Sequence, residues 1–222
     1  PEPAFSSLKN QNWATAWQER YVPIPLGNNL IIVPSWLENP CPKRIEIKMD
    51  PDMAFGSGTH PTTQLCLALM ERCLAENPVR EMIDIGCGSG ILAVAGVKLG
   101  AEYVLGVDND PDTIKVAEAN ASLNRIDDSI EFRSGSIHEI LSGQFGINEA
   151  PLVVVNIIAP ILTKLLEGGM DEVVLPGGTL ILSGILKEQL PGIRDLLEEK
   201  KLMISDKRQD GIWIALQADK PC

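Results

Sequence analysis

Short apolar runs alternate along this chain with longer stretches whose apolar residues recur every three or four positions. Met82-Ile83-Asp84-Ile85, Tyr103 to Val107, Ile130 to Arg133, Leu152 to Val155 and Thr179 to Ser183 are runs of the first kind. They read as strands, and the most continuous of them as strands buried on both faces. Between them, Ile91, Leu92, Val94, Ala95 and Leu99 fall at helical spacing, with Gly100 as a stop. Pro111 opens a second helix through Ile114, Val116, Ala117 and Ala119, and Asn109 or Asp110 is placed to cap it. Ahead of the first run, Thr62 or Thr63 leads into a helix through Leu65, Leu67, Leu69 and Met70, with Thr59 as the expected cap. Leu162 to Met170 and Pro191 to Lys201 predict two more helices, and Gly177-Gly178 a turn.

Strand and helix in alternation predict a doubly wound α/β domain around a mostly parallel sheet. The last segments, Met203 to Lys207 and Ile212 to Ala218, flank Gln209-Asp210-Gly211 and read as an antiparallel hairpin, which closes a Rossmann-like sheet of seven strands. The first 50 residues differ. Trp13 and Trp17 share one helical face, as in a linker helix that docks on a neighbour. Gly27-Asn28-Asn29 is a turn before a strand at Leu30 to Val33, and Arg44 to Lys48 alternates as another. Residues 1–50 are thus expected to form a linker helix and a β-rich flank, and 51–222 the main domain.

Composition narrows the class. The hydrophobic share of 45% and charged share of 22% are those of a globular protein, and no apolar run nears the roughly 20 residues that span a bilayer. The chain starts at Pro1 without a signal-like segment, and its five cysteines form no Cys-x-x-Cys pair. A disulfide framework and a metal site are not expected, and a reduced, cytoplasmic setting is. The net charge of −11, with no basic stripe, argues against direct binding of nucleic acid and suits a small molecule or a basic protein partner.

The chemistry concentrates where the first strand of the main domain meets Gly86-Cys87-Gly88-Ser89-Gly90. A dinucleotide fingerprint needs its third glycine three positions after the second, and Ile91 stands there. The pattern Asp-x-Gly-x-Gly-x-Gly, read from Asp84, instead resembles that of class I S-adenosylmethionine-dependent methyltransferases. Gly86 and Gly88 let backbone approach the methionine and ribose portions of such a cofactor without a Cβ in the way. Asp108, closing the next strand, is placed to accept from both ribose hydroxyls.

Ligands of open α/β sheets bind beyond the carboxyl ends of the strands. Asn156 ends the strand Leu152 to Val155 and therefore stands where a methyl group would be transferred. Its side-chain carbonyl, with a nearby backbone carbonyl, can take two hydrogen bonds from an amine and aim the nitrogen lone pair. The glycine-bearing stretch Asp50 to Thr63 precedes the cofactor strand and can fold over it, which offers Phe55 and the Thr63 hydroxyl to the sulfonium and the amino-acid end. His60 is a weaker candidate for a base. Ser136 follows the third strand, near where an adenine would sit, and His138 reads as an ordinary helix-start residue.

On these residues the chain resembles the PrmA-type methyltransferases, which modify ribosomal protein L11. The likeness runs from Asn12-Trp13 through Pro34-Ser35-Trp36, the loop Ala54 to Thr63, Asp84 to Gly90, and Asn156-Ile157 with Pro160. The resemblance implies cofactor contacts at Thr63, Gly86, Asp108 and Asn156, Phe55 near the active site, and methylation of lysine side-chain and N-terminal amino groups. Such proteins usually carry an N-terminal recognition domain joined by a helical linker, and here only the linker-like Trp13/Trp17 segment precedes the flank. The residues alone leave other amines open: another protein, a small molecule, a nucleic acid, or a module that holds cofactor without turnover.

Overall fold

In the structure, a computed structural model, residues 21–50 and 58–222 are described. The Trp13/Trp17 helix and Phe55 lie outside them. Among the described residues the main sheet is built from β4 (Glu81–Ile85), β5 (Tyr103–Asp108), β6 (Ile130–Ser134), β7 (Ala150–Asn156), β8 (Val174–Leu186), β9 (Met203–Asp210) and β10 (Trp213–Asp219). Their order across the sheet is β6-β5-β4-β7-β8-β10-β9, with β10 antiparallel to both its neighbours and the other pairs parallel. The expected seven-stranded, mostly parallel sheet with a terminal hairpin is therefore present. The order reverses between β4 and β7, and that is where a crevice opens in such sheets.

Side-chain alternation divides the core. Met82, Leu152 and Ile181 face one layer with Leu67, Met70, Leu92 and Val94, from α1 (Pro61–Glu76) and α2 (Ile91–Lys98). Ile83, Val153 and Leu182 face the other layer with Leu162 and Leu166 of α5 (Ala159–Glu167) and Ile193 and Leu197 of α6 (Leu190–Glu199). Strands buried on both faces need apolar residues at nearly every position, as β7 shows. The remaining helices are α3 (Pro111–Asn124) and α4 (Ile137–Leu141).

A second, small sheet joins β1 (Ile24–Leu26), β2 (Leu30–Pro34) and β3 (Ile45–Met49), with β1 antiparallel and β3 parallel to β2. Glu71 of α1, buried, fixes its turn by accepting from the N–H groups of Asn28 and Asn29, at 2.9 and 2.5 Å. On the opposite side, Asn124 of α3 treats β3 as a neighbouring strand would. Its Oδ1 accepts from Lys48 N–H at 3.0 Å and its Nδ2 donates to Lys48 O at 2.7 Å.

Three local expectations are corrected. The cap of α1 is His60 rather than Thr59, because the helix starts at Pro61 and the residue just before it is extended and accepts from Thr62 N–H. Gly177-Gly178 does not end an element, although the register of β8 against β7 shifts there, between Val174 and Thr179. Gly177 N–H donates to Lys220 O and Lys220 N–H to Gly178 O, at 3.0 and 2.9 Å, so β8 runs through both glycines. The hairpin turn sits at Gly211-Ile212, with Asp210 and Trp213 still paired, one residue beyond the expected triplet.

Candidate active site

The strand β4 ends in three glycines with positive φ: Gly86 at 71°, Gly88 at 53° and Gly90 at 77°. That left-handed region suits glycine and strains other residues. The turn is tied to β5: the N–H groups of Gly86 and Cys87 both donate to Val107 O, and Gly88 N–H donates to Asp108 Oδ2 at 3.0 Å. Asp108 Oδ1 accepts from Asp110 N–H at 3.1 Å. Each carboxylate oxygen has a further lone pair to offer a ligand.

Asp84, in the same motif, does something else. It is fully buried, and its Oδ2 accepts from Ala93 N–H in the first turn of α2 at 3.1 Å. Gly90, at the N-cap of that helix, has no side chain to do so, so the strand supplies the cap. Burial pushes the Asp84 carboxyl up to about 7; the Ala93 N–H opposes this and the nearby charge of Asp108 adds to it. Burial likewise pushes up the Cys87 thiol, with Asp84 and Asp108 adding to it, so it is a poor nucleophile.

A cavity of about 330 Å³ opens beside the turn, lined by Gly86, Gly88, Asp108, Ser136, Ile157 and Ile161 among others. Ser136 also caps α4, accepting from His138 N–H, while Glu139 accepts from Ser136 N–H in return. Apolar walls with one carboxylate at the end of β5 could hold an adenosine, the walls against the ring and Asp108 toward the ribose diol.

Across β4, Asn156 ends β7 in register with Ser183 of β8. Its Nδ2 donates to the Oγ1 of Thr63, itself fully buried, at 3.2 Å. The structure thus brings together two of the expected residues that lie 93 positions apart. Thr63 occupies the donor end of the amide and leaves its carbonyl as the acceptor end. His60 is engaged elsewhere: its Nδ1 lies 2.7 Å from Thr62 Oγ1 and its ring meets Trp213 edge-on at 4.9 Å.

Asn120 was not foreseen. Buried in α3, it donates from Nδ2 to Ser89 O at 2.9 Å and accepts at Oδ1 from Asp50 N–H at 3.0 Å. One amide therefore joins the glycine turn to the chain leaving β3. The signal available was two asparagines at i, i+4 on the otherwise apolar face of Ile114, Ala117 and Ala121. Among the described residues no group of three metal-ligating side chains occurs, and no helix is long and apolar enough to cross a membrane.

A sheet of this order, with a glycine turn, an acid closing the second strand and an asparagine closing the fourth, defines a methyltransferase of the Rossmann-like class. The model of the family "Ribosomal protein L11 methyltransferase (PrmA)" matches residues 1–221, and the chain belongs to that family. It is 38% identical over 215 residues to the ribosomal protein L11 methyltransferase of Geobacter metallireducens, which covers 96% of this chain and 68% of that protein. With the protein of the same name from Dechloromonas aromatica it shares 40% identity over 222 residues, covering 99% of this chain and 70% of that one. For the one from Desulfitobacterium hafniense the identity is 38% over 96% of this chain, which spans 65% of that relative's length. Among solved structures, a ribosomal protein L11 methylase from Lactobacillus delbrueckii subsp. bulgaricus superposes with a TM-score of 0.80 at 36% identity, over 91% of this chain and 100% of that chain.

Proposed function

We propose that this chain methylates amino groups of ribosomal protein L11, lysine side chain or N-terminal amine, using S-adenosyl-L-methionine. The observation that carries this reading is Asn156: an amide fixed at its donor end by Thr63, on the strand next to the glycine turn. The names of the relatives supply the acceptor, and the acidic balance of −11 suits a basic protein.

S-adenosylmethionine, when bound, supplies an electrophilic methyl group on a sulfonium. Gly86 and Gly88 line the cavity and would face its amino-acid and ribose portions, with Ile157 filling the space beside Gly86; Asp108 would accept from the ribose hydroxyls, and Ser136 would lie toward the adenine. Thr63 holds the Asn156 amide, and the Asn156 carbonyl accepts from the incoming amine so that its lone pair points at the cofactor side of the cleft. Phe55, on the segment before Gly58, is proposed to stand near the sulfonium on the strength of the family resemblance. No carboxylate is offered as the base. Asp84 is sealed in the interior, and a lysine with a pKa near 10.4 is neutral in roughly one molecule in 2,500 at pH 7. The residues described here align an amine that arrives neutral, in the cytoplasm where ribosomal proteins are made.

The test is to titrate the protein with S-adenosylmethionine by calorimetry and then add ribosomal protein L11, reading its mass. Binding followed by gains of one or more methyl masses is expected. A folded protein that binds no cofactor would overturn the reading, and binding without mass gain on L11 would overturn its acceptor.

A further inference from the structure

The turn that carries Asn156 is shaped by a glycine on the next strand. Along β8 and β10, Ile185 pairs with Ile214 and Leu182 with Leu216, so Ser183 and Gly184 together face the single residue Ala215. This is a β-bulge, and it falls beside the last pair of β7 and β8, Asn156 with Ser183. Gly184 is buried, with φ of 84°. A Cβ there would lie 2.3 Å from Ile157 O, 2.6 Å from Ile157 C and 3.2 Å from Ile158 N. These are backbone atoms and cannot rotate aside. On its other flank Ile157 rests on the glycine turn, where a Cβ at Gly86 would meet Ile157 Cδ1 at 2.4 Å. Ile157 is therefore wedged between two glycines, one after β4 and one in β8, the two strands that flank β7.

We infer that Gly184 is a positioning residue for methyl transfer: the Ser183-Gly184 bulge seats the Ile157 carbonyl, and so sets the direction in which Asn156 presents its amide. Bulges beside active sites re-aim side chains in this way. The inference rests on the reading of Asn156 given above and adds to it a residue that touches neither cofactor nor amine. It also separates the two halves of the site, since Gly184 bears on the carbonyl of Ile157 and Gly86 on its side chain.

Gly184→Ala, Asn156→Ala and the wild type are compared in methyl transfer to L11, in S-adenosylhomocysteine affinity by calorimetry, and in the ¹⁵N-correlated side-chain amide resonance of Asn156 in the cofactor-free protein. A misplacement of an ångström or so lowers kcat by about 10-fold to 100-fold, and Gly184→Ala is expected in that range with cofactor affinity within about threefold of wild type. The Asn156 amide resonance is expected to shift in the same variant. Wild-type kcat with an unmoved resonance overturns the inference, and so does a loss of cofactor affinity equal to the loss of rate. Should Gly184→Ala fail to fold, Ser183→Ala, which removes the 3.3 Å bond from Ser183 Oγ to Ile214 O, is read in the same way. A smaller fall in kcat at unchanged cofactor affinity then supports the inference, and full kcat overturns it. If Asn156→Ala keeps full rate, the reading of Asn156 falls. If Asn156→Ala is inactive while Gly184→Ala is fully active, only the role of Gly184 falls.

Discussion

Asp84 and Asp108 belong to one nucleotide-site motif and end up in opposite environments. Asp108 closes β5 at the rim of the cleft, with both oxygens held by backbone N–H groups and lone pairs to spare. Asp84 lies one strand away with no exposed surface, capping α2 from below, and its Oδ1 has no hydrogen-bond partner. One acid is open to the cleft and the other serves the helix behind the turn. A motif read as a unit therefore contains two separate jobs, and substitutions should tell them apart.

Asn156→Ala should have the largest effect, because it removes the acceptor that aligns the amine. Loss of about 100-fold to 1,000-fold in kcat is expected, with S-adenosylhomocysteine affinity reduced far less. A proportional loss of affinity would place Asn156 with Asp108 on the cofactor side. The contrast between the acids is tested next by pH. Below pH 4 both the folded and unfolded forms of Asp84 carry a proton. As the pH rises toward 7 the unfolded form loses it while the folded form keeps it, so stability falls through that window. The change amounts to on the order of 3 kcal/mol. Asp84→Asn keeps an acceptor for Ala93 N–H and should remove this fall, as read by urea unfolding at pH 4.5 and pH 8. Equal pH dependence in variant and wild type would sink the assignment.

Asp108→Ala should weaken cofactor binding by about 100-fold, since charged hydrogen bonds contribute roughly 1.5 to 3 kcal/mol each, while reducing that pH dependence only in part, because burial is the larger cause of the Asp84 shift and the charge of Asp108 the smaller. The smallest effect is expected at Thr63. Thr63→Val keeps the shape and removes the hydroxyl that orients the Asn156 amide, for about a 10-fold drop in kcat by loss of one neutral hydrogen bond. An unchanged kcat there would mean that the amide is held by something other than Thr63.

Local patterns carried much of this structure. The strands β4, β5 and β7 are apolar because helices cover both faces, so their pattern reports their position directly. Asp108 and Asn156 could be singled out because each ends such a strand, and strand ends are where ligands of open α/β sheets bind. What stayed hidden depends on distant partners. Gly177-Gly178 reads as a break between elements locally but is paired with Lys220, more than 40 positions later. The roles of Glu71 and Asn120 show only once the backbone N–H groups they accept from, at Asn28, Asn29 and Asp50, are in place. Gly184 is an isolated glycine whose requirement comes from the carbonyl of Ile157 on another strand.

The pairing of β8 with β10 has a consequence for how the protein is made. The bulge at Ser183-Gly184 exists only opposite Ala215, and the start of β8 is held by Lys220. The chain is synthesised from its N-terminal side, and residues 213–220 leave the exit tunnel after the other segments that shape the cleft. Until they do, the glycine turn and Asp108 can assemble from local β-α-β contacts, while β8 beside Asn156 lacks its outer partner. The half of the cleft proposed to hold cofactor thus forms before the half proposed to align the amine, and a nascent chain still on the ribosome is expected to bind methyl donor before it can use it.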